Sequence, residues 1–74
     1  MSTITIKSEI AGTVWKIESR PGDTVEADDT LLILESMKME IPVLAPRKGS
    51  VAEFRVGEGE PVTEGQVLAL FTAG

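Results

Sequence analysis

Leu31-Leu32-Ile33-Leu34-Glu35-Ser36-Met37-Lys38-Met39-Glu40-Ile41-Pro42-Val43 lies at the middle of a 74-residue chain and decides its fold. Two short apolar runs, Leu31 to Glu35 and Met39 to Val43, are separated only by Ser36, Met37 and Lys38. Such runs, reversing over so few residues, predict a β-hairpin. Its tip is poor turn chemistry, because the commonest two-residue hairpin turns take Asn-Gly or Asp-Gly and here the residues are Met and Lys. Local rules are most often broken at functional sites, so Lys38 becomes the candidate chemical centre. Taken alone, Met-Lys-Met would read as a solvated lysine with methionines packed back on the sheet. Pro42 and Pro46 cannot donate to a ladder, which predicts that Met39 to Val43 is an edge strand.

Outward from the hairpin, the chain repeats itself. Gly12, Val14, Gly22, Val25 and Leu31 recur 37 residues later as Gly49, Val51, Gly59, Val62 and Leu68. Similar pairs fall at the same interval: Thr13 with Ser50, Ile17 with Phe54, Asp23 with Glu60, and Ile33 with Leu70. No gap is needed. A solenoid needs about three or more units to cover its core, so two copies point instead to a pseudo-twofold pair of halves, over about residues 12–34 and 49–71. Strand-like runs at Ile4 to Lys7, Gly12 to Ile17, Leu31 to Glu35, Met39 to Val43, Gly49 to Phe54 and Val67 to Thr72 are each bounded by turn formers, which predicts an all-β domain. Each half reads as strand, turn, short strand, turn, strand, with Gly22 and Gly59 supplying positive φ in equivalent turns. The first and last strands have no hairpin joining them and are expected to pair at the end away from Lys38.

Length and composition narrow the function. The chain forms one domain, residues 1–74, with no Cys or His, so neither a disulfide framework nor the usual zinc ligand set is available. The missing His and Cys also remove the usual nucleophile and base pairs, so an independent enzyme is not expected. A net charge of −5 would repel phosphate backbones and anionic membrane surfaces, and argues against nucleic-acid or membrane partners. No apolar run approaches the roughly 20 residues of a membrane span, and Met1-Ser2-Thr3-Ile4 is unlike an export signal. The expectation is a soluble, cytoplasmic protein.

Glu35-Ser36-Met37-Lys38-Met39, followed by Ala45-Pro46, Gly49, Val51, Gly59, Val62, Gly65 and Leu68, resembles the biotinyl domain, the biotin carboxyl carrier module of biotin-dependent carboxylases. The resemblance covers nearly the whole chain. It implies a flattened β-barrel, or barrel-sandwich hybrid, of two four-stranded antiparallel sheets, with biotin joined to Lys38 by an amide bond. It further implies a biotin protein ligase, a biotin carboxylase and a carboxyltransferase as partners of a monomeric domain. Many family members have Ala where this chain has Ser36; both are small and leave the tip accessible. The gapless repeat leaves no room for the inserted thumb of the multisubunit bacterial acetyl-CoA carboxylase carrier, and no long N-terminal extension is expected. The closer likeness is to thumbless carboxylase domains and to free-standing biotin/lipoyl attachment proteins.

The residue types suit that chemistry. Once its ammonium loses a proton, lysine offers a nucleophile on a flexible stem, which arginine cannot do. Met37 and Met39 offer adaptable apolar surface to a ligase and to carboxylase sites. Glu35 is read as a recognition charge, and Ser36 as the small residue that keeps the tip open. Trp15 is read as a packing residue. Two other functions remain: a lipoyl carrier, whose tip usually reads Asp-Lys-Ala, and an unmodified binding or assembly module.

Overall fold

A computed structural model describes residues 2–74. The described residues form eight strands: β1 (Ser2–Lys7), β2 (Gly12–Ile17), β3 (Thr24–Val25), β4 (Thr30–Ser36), β5 (Met39–Leu44), β6 (Gly49–Phe54), β7 (Pro61–Val62) and β8 (Val67–Ala73). They make two four-stranded antiparallel sheets, ordered β1-β8-β6-β3 and β5-β4-β2-β7. Adding 37 to the strands of the first half gives those of the second, so one sheet order maps onto the other. The repeat therefore reaches beyond residues 12–34 and 49–71, because β1 and β5 are counterparts as well. β5 is an edge strand, and β1 pairs with β8, both as expected.

The core is built from residues that occur in both halves. Val14 with Val51, Val25 with Val62, and Leu31 with Leu68 are all buried, and the pairs Leu32 with Ala69 and Leu34 with Phe71 fill the space between them. Strict alternation would put only one of Leu31 and Leu32 inside. The ladder between β4 and β5 shifts between Thr30 and Leu32, so Leu31 is an extra residue, and both leucines are wholly buried. A bulge re-aims side chains in this way. The same shift occurs opposite Lys7, where Leu68 and Ala69 are both buried.

Trp15 corrects the sequence reading. It falls where the β2–β4 register shifts between Val14 and Lys16, is 48% exposed, and lies outside the core cluster. Val14 is buried, so alternation along β2 already turns the neighbouring indole outward, and the bulge keeps Lys16 outward beside it.

The turns repeat with the strands. Gly22 and Gly59 have φ of 92° and 87°. Asp28, at 70°, stands where the second half has Gly65 at 86°; Asp tolerates this left-handed backbone better than most residues. In the same turns Asp29 Oδ2 accepts a hydrogen bond from the Glu26 N–H at 2.9 Å, and Gln66 Oε1 accepts one from the Thr63 N–H at 3.0 Å. Different side chains thus close one backbone shape.

Candidate functional site: the Lys38 turn

Ser36 pairs with Met39, so Ser36 belongs to β4 and the turn holds two residues, Met37 and Lys38, rather than three. Their φ values are 52° and 67°. Positive φ at both central positions is the type I′ geometry that follows the right-handed twist of a hairpin. Asn and Gly are the residues that accept it readily; Met and Lys each hold it at a cost of about 1–2 kcal/mol. The poor turn chemistry read from the sequence is thus real backbone strain, shared by Met37 and Lys38.

What the strain obtains is display. Lys38 is exposed, Met37 is 91% exposed and Met39 64%. Among the described residues the ion pairs are Lys16 with Glu18 and Arg55 with Glu53, and Lys38 takes part in neither. Glu35 and Glu40, at the foot of the turn, face each other across the ladder and are both exposed, while Ser36 is half-buried. The sequence-predicted residues Glu35, Ser36, Met37, Lys38 and Met39 therefore gather within one hairpin end.

Gly12 completes the support and was legible only as a repeated glycine. A Cβ at Gly12 would stand 2.5 Å from the Glu35 carbonyl oxygen and 3.4 Å from Ser36 Cβ, so only glycine lets β2 lie this close beneath the hairpin. The ends of the chain lie elsewhere. Lys7 pairs with Val67, and the short link Ser8 to Ala11 leads from there to Gly12 beside the Lys38 turn. Ser2 and Ala73 pair at the opposite end of the same two strands, about 20 Å away at the usual rise per strand residue.

An exposed primary amine on a strained turn, free of ion pairs and flanked by apolar side chains, fits a covalently attached acyl group. Comparison with known proteins agrees: the Biotin_lipoyl profile, described as biotin-requiring enzyme, matches residues 2–71. The chain belongs to the biotin/lipoyl attachment family. It is 46% identical over 65 residues to the biotin/lipoyl attachment protein of Bacillus subtilis, covering 88% of this chain and 89% of that one. Among solved structures, the urea carboxylase of Kluyveromyces lactis matches with a TM-score of 0.90 and 33% identity, over 97% of this chain but only 6% of that one. The lipoyl domain of the 2-oxoglutarate dehydrogenase complex from Azotobacter vinelandii matches with a TM-score of 0.83 and 32% identity, over 96% of this chain and 98% of that one. The attachment domain is thus a small carrier of biotin or lipoate, and its fold is common to both kinds.

Proposed function

We propose that Lys38 is biotinylated and that the domain carries carboxyl groups between a biotin carboxylase site and a carboxyltransferase site on partner proteins. The observation that carries this reading is the Met37-Lys38 turn, where strained backbone displays one lysine between two exposed methionines. A biotin protein ligase would load it. The Lys38 Nζ lone pair attacks the acyl carbon of an activated carboxyl, the bond to the activating group breaks, and the nitrogen loses its proton as the amide forms. When attached, biotin supplies the ureido ring that holds the carboxyl group in transit. The chain's own part is mechanical. Gly12 and the β4–β5 ladder hold the turn, Met37 and Met39 present apolar surface around the attachment point, and Glu35 marks the hairpin for the ligase. Ser36 keeps the foot of the turn narrow. The domain works in the cytoplasm as a monomer and leaves catalysis to its partners.

Lipoate is the second reading, favoured by the full-length match to a lipoyl domain. Met37 and Met39 oppose it, since they stand where a lipoyl tip usually has Asp and Ala. Intact-mass measurement decides between the cofactors, and against an unmodified assembly module, after the protein is expressed once with biotin and its ligase and once with lipoate and its ligase. The expected result is one biotinyl adduct, absent from Lys38→Arg. An adduct that persists in Lys38→Arg, for example on Lys16 or Lys48, refutes the site. A lipoyl adduct alone refutes the cofactor.

A further inference from the structure

The two halves of this fold act as controls for one another, because what the fold alone requires at one position it requires 37 residues away. Trp15 and Ala52 occupy one such pair, each at the register shift of its strand, between Val14 and Lys16 in β2 and between Val51 and Glu53 in β6. The shift forms with Ala52, so it does not need an indole.

The contrast continues across both sheets. Beside Trp15, Lys16 pairs with Ile33, which pairs with Pro42. These positions face outward, since Val14 and Leu34 in the adjoining row are buried. The counterparts of Trp15, Lys16, Ile33 and Pro42 in the other sheet are Ala52, Glu53, Leu70 and Thr5. Nearer the tip, Glu35 pairs with Glu40, where the other sheet pairs Thr72 with Thr3. Opposed threonines stabilise a ladder and opposed carboxylates weaken it. The sheet that carries Lys38 thus holds an exposed aromatic and a pair of like charges, in neither ion pair of the described residues, that its twin does without.

Resting on the reading of Lys38 as an acylated residue, we infer that this outer face, Trp15, Ile33 and Pro42 with Glu35 and Glu40, is where the biotin protein ligase docks. The ligase surface that fits it has an apolar slot for the indole and cationic side chains opposite the two carboxylates. The ligase is the occupant because it meets Lys38 unmodified. Ile33 lies three residues before Ser36, the last residue of β4, about 10 Å along the strand from the foot of the Lys38 turn. A protein that encloses an amine extended by no more than its own side chain must lie over the neighbouring surface. Enzymes that act later reach the group on a longer arm.

The domain has a single Trp, which gives a direct test. With 5-fluorotryptophan in the full chain, adding biotin protein ligase should move or broaden its one fluorine resonance, in the parent and in Lys38→Arg alike. Trp15→Ala, which installs the residue of the twin position, should raise KM for the domain in ligation about tenfold with kcat unchanged. Labelling of Lys38 with an unmoved resonance and an unchanged KM overturns the docking face and leaves the attachment site standing. A moved resonance without labelling supports the face and removes the attachment site. Loss of the fold in Trp15→Ala would overturn the inference too, because the indole would then be structural.

Discussion

Gly12 lies against the backbone of Glu35, with 2.5 Å between the place of a Gly12 Cβ and the Glu35 carbonyl oxygen. Gly49 stands in the same relation to Thr72, with the Phe71 ring also in the way. Gly12→Ala must therefore push β2 away from the hairpin that carries Lys38. Overpacking against backbone costs about 1–3 kcal/mol, so Tm should fall by about 10 °C in a domain of this size. Gly57→Ala, which meets open space, should leave Tm within about 2 °C. Thermal unfolding of both variants checks the claim, and equal effects would refute it.

The Met37-Lys38 turn trades stability for display. Replacing it with Asn-Gly, the pair that type I′ geometry prefers, should relieve backbone strain at both positions. The double variant Met37→Asn, Lys38→Gly is expected to gain about 1–2 kcal/mol and to lose all labelling by the ligase. Denaturant unfolding measures the first and intact mass the second. A variant no more stable than its parent would mean that the turn is not strained.

How much of this was legible beforehand depended on the kind of signal. The identities at an interval of 37 residues exposed the twofold core, because buried Val and Leu and the turn glycines are held in place by packing and backbone geometry. The equivalence of β1 and β5 stayed hidden: Ile4 and Ile41 are the one identical pair among the six positions, as edge strands pack little and tolerate drift. Trp15 was misread because its residue type was weighed and its phase was not: next to the core-facing Val14, alternation turns it outward. The third residue assigned to the turn, Ser36, proved to be paired, an error of one position at a boundary. Lys38 was legible as a candidate from its unsuitable turn residues together with its place at the midpoint of the repeat and the resemblance of its motif.

The equivalence of β1 and β5 carries its own test. Ser2 and Ala73 pair as Met39 and Ser36 do, so the chain ends occupy the place of a missing second hairpin. Joining Ala73 to Ser2 through Asn-Gly, and opening the chain in the exposed turn between Gly22 and Asp23, should give a permuted protein that still folds. Lys38 should be labelled at close to the parent rate, since the new turn lies at the far end of the molecule. Circular dichroism and ligase kinetics provide the readouts, and a permuted chain that folds but cannot be labelled would show that the ends influence the tip.

The methionines beside Lys38 give the last test, on the choice of cofactor. Met37 and Met39 are exposed on either side of the attachment point, so neither is needed for the core. Met37→Asp with Met39→Ala produces a lipoyl-like tip without changing the length of the turn. Asp also tolerates the positive φ of position 37 better than Met, so the fold should hold or tighten slightly. Removing two apolar contacts from a ligase interface, and adding a charge to one of them, is expected to slow biotin transfer by at least tenfold. Lipoate transfer should hold or rise. Parallel rates with a biotin ligase and a lipoate ligase decide the matter: unchanged biotinylation would show that the methionines do not select the cofactor, and recognition would then have to lie on the sheet below the turn.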